Sequence, residues 1–462
     1  MTDNRISAAG GEALSENFTN LLRYSWRMQL RLAGLALLLS GALISPAQPA
    51  LTTAQRQLNI DSFEMVWQTV RDKHWDPKLG GLDWQAIHDE LRPKVEKAAT
   101  LEEARAVMSE MLDRLKQTHF GIVPGEAYRE MGSGSADDDS GPRDGSPGMD
   151  ARAIDRHVLV TSVEPDSPAA AAGVAPGWEI LRIDGKDLAP GLAKIRDSLS
   201  SQSTLLDLLQ AHAINSRLSG QAGKSVEVQF LDGRDKKVSL KLTRARPRGQ
   251  LATLGNLPPM HFWVESRTVK PNIGYVRFNL FFEPEALIAA FQQAVNACQS
   301  CDGFIIDVRG NPGGIGGLAT GVAGWFTDRQ GQQLGTMFLR GANIKFAVFP
   351  RAEPFLGPLA ILVDGCSAST SEVLAGGMRD LGRAHIIGTR TAGAALPSVF
   401  AKLPNGDGFQ YAIANYISEG GQPLEGFGVT PDEEVKLERR QLLEGQDSVV
   451  DAAVSWIEKQ HK

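Results

Sequence analysis

The chain has 462 residues, 42% of them hydrophobic and 22% charged, with a formal net charge of −6. A length of this order gives room for about two to four domains of ordinary globular composition. The mildly acidic balance leaves no electrostatic footprint for a nucleic acid, and no nucleic-acid partner is expected.

Residues 1–50 read as an address. Arg23, Arg27 and Arg31 precede the apolar run "LAGLALLLSGALI" (32–44), and the small residues of "SPAQPA" follow. That order matches a secretory signal, and the run is shorter than the roughly 20 residues a membrane span needs. Translation from Met28 would give a more regular signal than translation from Met1. The mature chain is expected to begin near residues 48–51 and to work in the periplasm or as a secreted protein. It would touch a membrane only through an uncleaved signal.

Residues 51–124 carry helical periodicity. Phe63, Val66, Trp67 and Val70 fall on one face, Asp83 is a candidate N-cap, and Thr100 with Glu103 has capping-box spacing. A small helical bundle is expected. Residues 125–151, rich in Gly, Ser and Asp, keep no apolar period and read as a flexible linker. From 152 to 247 the pattern turns to strands: "HVLVTSV" alternates, and "SVEVQFLDGRDKKVSLKLTR" reads as a hairpin with an Asp-Gly turn. A long helical insert at 190–220 interrupts this β region. From 248 to 440, near-continuous apolar runs ("IGYVRFNLF", "GFIIDVRG", "LAILVDG") alternate with helices, as expected of strands covered on both faces in an α/β domain. Residues 441–462 read as a final amphipathic helix.

Three cysteines are present. Cys298 and Cys301 have spacing for a local disulfide or for two free thiols at a helix end, and a zinc site lacks further ligands nearby. Cys366 reads as a small buried hydrophobe. No metal motif and no cofactor motif occurs, so neither is expected.

The chemistry concentrates in "LVDGCSASTSEVLAGGM". Ser367, Ser369 and Ser371 are candidates for a nucleophile. Ser369 stands at a strand-to-helix turn, where free N–H groups and the helix dipole favour a developing oxyanion, although Ser369 and Glu372 also have capping-box spacing. A second Gly-rich turn, "DVRGNPGGIGG", places Gly313 and Gly314 where backbone N–H groups could approach a ligand. It lacks the lysine of a phosphate loop.

The order of a helical bundle ending in Thr-His, a "SPAAAAGVAPGWEILRIDG" segment, "DVRGNPGG", "SASTSE" and "GTRTAG" resembles the tail-specific (carboxyl-terminal processing) serine peptidases and their tricorn-core relatives. The resemblance covers most of residues 55–440. It implies a crotonase- or ClpP-like α/β catalytic domain with an embedded PDZ-like domain. It also implies Ser369 as nucleophile, with the N–H of Thr370 and of Gly313 or Gly314 as oxyanion donors. The lysine base of the tail-specific branch would fall at position 394, which is Ala394 here, so a Ser-Lys dyad is excluded on this alignment. The tricorn-like branch takes a histidine from the end of the bundle. That implies His119 as general base, with Thr118 in place of a serine and Glu425 as the carboxylate. Threonine keeps the hydroxyl but has a stiffer rotamer. His74, His88, His157, His212, His261, His385 and His461 have structural readings, with His385 on a strand.

These features imply an exported serine endopeptidase acting on polypeptides through an acyl-enzyme, with substrate C-terminal tails taken up at the PDZ-like domain. The competing expectation is a non-catalytic carrier of apolar ligands or peptides on the same fold, as in the interphotoreceptor retinoid-binding proteins.

Overall fold

The structure is a computed structural model that describes residues 51–125, 144–199, 203–253, 260–270 and 272–460. The signal-like segment, the Gly/Ser/Asp-rich stretch at 126–143 and His461 lie outside the described residues.

The N-terminal bundle consists of helices Thr53–Lys73, Trp84–Lys97 and Leu101–Asp113. Each start has a polar cap: Thr52 and Gln55 form a reciprocal box, Asp83 accepts the Ala86 N–H, and Thr100 accepts the Glu103 N–H. The Glu103 carboxylate takes the N–H of Ala99 rather than that of Thr100, so the expected box closes one residue early. Phe63, Leu91 and Met108 fill the core, and Trp67 and Trp84 each donate an indole N–H to the other's carbonyl at 3.0 Å.

This bundle does not end where the sequence periodicity ends. Strand Gly121–Val123 pairs antiparallel with Gly408–Ala412, whose hairpin partner is Ser398–Lys402. Leu403 and Phe409 of that hairpin belong to the bundle's core. Arg105 makes a bidentate bond to the fully buried Asp407, which also takes the Gly125 N–H at 2.6 Å. A hairpin from the far end of the chain is thus built into the bundle, and it fixes the segment carrying residues 118–119.

The β region is an antiparallel sheet in the order Met149–Ile154, His157–Val163, Glu179–Ile183, Ser225–Leu231, Lys237–Thr243. One boundary and one turn differ from the sequence reading. Gly145 pairs with Gly220 and Ser146 with Ala245, so the sheet takes up the chain before residue 151; glycine and serine content there reflects close strand approach, not slack. In the expected Asp-Gly hairpin, the left-handed residue is Asp235 (φ 58°) rather than Gly233, because the Asp232 carboxylate closes a longer loop by accepting the N–H of Arg234 and Lys236. The helical insert forms Ala189–Ser198 and Leu206–Leu218. Ile214 and Leu218 enter the sheet's core, and Asn215 pairs with both backbone groups of Ala151.

The remaining region is organised by a six-stranded sheet in the order Val264–Val269, Ile273–Phe278, Gly303–Asp307, Leu359–Val363, His385–Gly388, Glu433–Glu434. All neighbours are parallel except the first pair. Helices Pro284–Ala297 and Thr370–Asp380 cover one face and helix Ser448–Gln460 the other, which accounts for strands that are apolar throughout. Gly303 has no side chain because Ile457 occupies that space; a Cβ would lie 2.4 Å from it. His385 stacks on Trp456 with ring centroids 4.6 Å apart. Cys298 and Cys301 are joined by a disulfide at the end of the first helix. Cys366 is a buried free thiol whose ionisation is opposed by burial. Among the described residues no helix is long and apolar enough to cross a membrane, and no cluster of His, Cys, Asp and Glu could hold a metal.

Candidate active site

Two loops leave the C-terminal ends of the adjacent strands Gly303–Asp307 and Leu359–Val363, a place where open parallel sheets present ligands to side chains. Asp364 ties the loops together by accepting the N–H of Gly310 and of Cys366, each at 2.9 Å. Of the three candidate serines, two are structural. Ser367 and Ser371 are fully buried, and their hydroxyls donate to the carbonyls of Val308 (2.7 Å) and Asn311 (2.9 Å). Ser369 is only half-buried and holds φ 54°, ψ −115° at the start of helix Thr370–Asp380. A non-glycine residue in that region is strained and persists only where its surroundings over-determine it.

The surroundings do so. The Ser369 N–H points to the Ala394 carbonyl (2.8 Å) and the Glu372 carboxylate (2.9 Å). Glu372, with no exposed surface, also accepts from the Thr391 hydroxyl (2.6 Å) and the N–H groups of Gly393 (2.8 Å) and Ala394 (3.0 Å). One carboxylate thus fastens the Ser369 turn to the segment 391–394. Burial pushes Glu372 up to about 7 despite these donors.

Gly313 (φ 101°) lies against the turn. A Cβ there would come within 2.8 Å of both Ser369 Cβ and the Thr370 nitrogen. Its own N–H is taken by the Asn311 side chain at 2.9 Å. The N–H groups of Gly314 and Thr370 have no acceptor among the described residues, and Gly314 is exposed. Thr370 instead uses its hydroxyl to hold the Gly314 carbonyl at 2.9 Å. Of the two glycines left open by the sequence, Gly314 is the one whose N–H has no acceptor among the described residues.

Thr118, His119 and Glu425 come together from positions some 300 residues apart. The Thr118 hydroxyl donates to Glu425 Oε2 (2.9 Å) and lies 2.7 Å from His119 Nδ1. Glu425 Oε1 accepts the Thr118 N–H at 2.7 Å. Because the hydroxyl proton is committed to Glu425, Thr118 Oγ1 accepts from His119 Nδ1–H, which leaves the lone pair on Nε2. His119 holds φ 61°. Burial lowers it to about 4, so it is neutral at neutral pH. Burial raises Glu425, against the N–H donors of Thr118 and Ala395. His74 supports the arm from beneath, its Nε2 lying 2.9 Å from Gln117 Oε1.

His119 and Ser369 form no hydrogen bond to each other. They are connected through two consecutive residues: Ala394 accepts the Ser369 N–H, and Ala395 donates its N–H to Glu425 Oε2 at 3.1 Å. The segment 391–395 therefore anchors the serine turn on one side and the histidine arm on the other. Sequence reasoning assigned Glu372 a capping role alone and did not single out Asn311, which is fully buried and holds Phe278, Gly313, Ala368 and Ser371 in register. The Asn within "GNPGG" was the available signal.

The model of peptidase family S41 matches residues 272–435, and that of the tricorn protease C1 domain matches residues 61–113. The chain is 26% identical over 419 residues to a carboxyl-terminal-processing protease of Picosynechococcus sp., covering 89% of this chain and 91% of that relative. It is 25% identical over 397 residues to the chloroplastic carboxyl-terminal-processing peptidase 3 of Arabidopsis thaliana, covering 83% and 69%. Among solved structures it is similar to a photosystem II D1 C-terminal processing protease, with a TM-score of 0.54 at 22% identity over 86% of this chain and 99% of the other. That last likeness is one of fold.

Proposed function

The chain is a serine-type peptidase of family S41, and from that premise we propose that it is an exported endopeptidase in which Ser369 is the nucleophile and His119 the general base. The observation that supports this reading is the shared anchor at Ala394–Ala395, which ties the turn of a strained, half-buried serine and the arm of a neutral histidine to two consecutive residues. Ser369 Oγ attacks the scissile carbonyl while His119 Nε2 takes its proton. The N–H groups of Thr370 and Gly314 receive the oxyanion. His119 then protonates the leaving amine, and water enters by the reverse sequence to release the acid. Thr118 and Glu425 hold the imidazole and stabilise its charge while it is protonated. Ala394 at the lysine position supports a base from outside the nucleophile turn.

The antiparallel sheet at 149–243 acts as a PDZ-like module that takes up the C-terminal tails of polypeptide substrates along a strand edge. The basic and apolar pattern of residues 23–44 supports export, and the Cys298–Cys301 disulfide fits an oxidising compartment. Unfolded casein tests the reading: the purified protein is expected to cut it internally and Ser369→Ala to leave it intact. Equal cutting by both would remove Ser369 from the mechanism.

A further inference from the structure

A set of buried charges beneath the Gly-rich loop takes no part in the chemistry above. Asp307, the last residue of strand Gly303–Asp307, has no exposed surface. Its carboxylate accepts the Tyr275 hydroxyl at 2.7 Å and the Arg309 N–H at 3.0 Å. It also accepts two guanidinium bonds from Arg309, at 2.9 and 2.6 Å. The other edge of the same guanidinium donates twice to Asp447, at 2.9 and 2.8 Å. Asp447 in turn accepts the N–H groups of Val449 and Val450 and so caps helix Ser448–Gln460, which covers the face of the sheet opposite helix Thr370–Asp380. One arginine therefore joins the end of a central strand, the loop that runs on to Gly314, and the C-terminal helix.

Buried charges are a poor source of stability, because desolvation offsets most of their attraction. A planar guanidinium held on two edges does fix direction as well as distance. Beyond Arg309, the loop is tied on the serine side: Gly310 donates its N–H to Asp364, and the Asn311 carbonyl accepts the Ala368 N–H and the Ser371 hydroxyl. Arg309 holds the root of the loop from the opposite face. Gly314 has φ 142°, and a Cβ there would lie 2.3 Å from the Phe281 carbonyl oxygen. The direction of its N–H is therefore set by the path of the loop. We propose that Arg309 and Asp447 are positioning residues, through which the C-terminal helix fixes the loop that aims the Gly314 N–H at the developing oxyanion. The role rests on the reading that Ser369 attacks and that Gly314 receives the oxyanion.

Steady-state kinetics on a quenched fluorescent peptide, built around a cut site mapped in casein, test it. Asp447→Asn keeps a good helix cap at a side chain that is 37% exposed, but its amide NH₂ meets the guanidinium donors. Arg309→Lys keeps the charge and loses the fork. Each should lower kcat by about 10–100-fold, the scale of a misaimed oxyanion donor, with KM within about twofold of wild type. The double variant should be no worse than the more damaged single one, because both break one link. Ile457→Val loosens the same helix where it packs on Gly303; it should lower the unfolding midpoint and leave kcat unchanged. All rates are read at a temperature where circular dichroism shows each variant folded. Wild-type kcat in both single variants, losses carried by KM, additive losses in the double variant, or an equal kcat loss in Ile457→Val would each overturn the proposal. A wild-type protein that cuts nothing, or equal cutting by Ser369→Ala, fails the parent reading instead and is seen before these variants are compared.

Discussion

The Ser369 turn and the His119 arm are built in opposite ways. The turn is local: residues 364–372 follow one strand, open one helix and are closed by Glu372, only three residues from Ser369. The arm is remote: Thr118 and His119 hang from a helical bundle, and their carboxylate arrives from residue 425. The turn depends on backbone strain held by a fully buried carboxylate. The arm depends on domain docking, through the strand at 121–123, the 398–412 hairpin and the Arg105–Asp407 pair. Damage to the turn should therefore abolish chemistry, whereas damage to the arm should grade from loss of the base to loss of its alignment.

Ser369→Ala removes the proposed nucleophile, and casein hydrolysis should fall by about 10⁵–10⁶-fold. His119→Ala removes the proposed base and should cost about 10³–10⁴-fold, with hydrolysis that no longer has an acid limb controlled by the imidazole. Thr118→Val deletes the hydroxyl between His119 and Glu425 and should cost about 10–100-fold in kcat, whereas Thr118→Ser should restore most of it. A Val variant as active as wild type would detach Glu425 from the arm.

Glu372→Gln tests the turn without touching reacting atoms. Each Glu372 oxygen accepts two donors, so the amide NH₂ would face N–H or O–H groups on one side. A loss of about 1–3 kcal/mol is expected in denaturant unfolding, accompanied by reduced kcat. For the wild-type group the sign is set by burial, which raises its folded value to about 7 against an ordinary value of 4.5. Folded protein holds the proton where unfolded chain has lost it, so this carboxyl's contribution is full below pH 4.5 and is lost as pH rises towards 7. Glu372→Gln should flatten that part of the stability profile. The smallest expected effect on chemistry comes from Asp407→Asn, which breaks the pairing with Arg105. It should lower stability by about 2–4 kcal/mol while reducing kcat only several-fold, because the arm is loosened and its groups remain.

The turn could be read from sequence because its parts are neighbours: strand, Ser-x-x-Glu and helix occupy one short segment. Burial of Ser367 and Ser371 was not legible in the same way, because residues 367, 369 and 371 share one alternation and Ser367 lies in the turn beyond the strand, which ends at Val363. The arm could be named only through resemblance, since a histidine at a bundle end carries no local mark of function. Thr118 and Glu425 meet it through packing that no periodicity encodes. The same limit hid the second role of Glu372. Ser-x-x-Glu spacing specifies a cap, but the N–H groups of Gly393 and Ala394 reach that carboxylate through the crossing of a later strand. The hairpin at 398–412 escaped for a related reason: its alternation marks strands but not the bundle they join. At 145–151 polar composition suggested slack chain where cross-strand hydrogen bonds in fact order it.

The central claim is that a histidine from the bundle activates Ser369. The most direct measurement is the rate of labelling by a small fluorophosphonate between pH 4 and 9, in the wild-type protein, Ser369→Ala and His119→Ala. The account predicts one labelled residue, Ser369, an acid limb with its midpoint below the ordinary histidine value of 6.5 because burial lowers His119, and labelling slowed by at least about 10³-fold without that limb in His119→Ala. Wild-type-like labelling in His119→Ala, with the same pH profile, would contradict it.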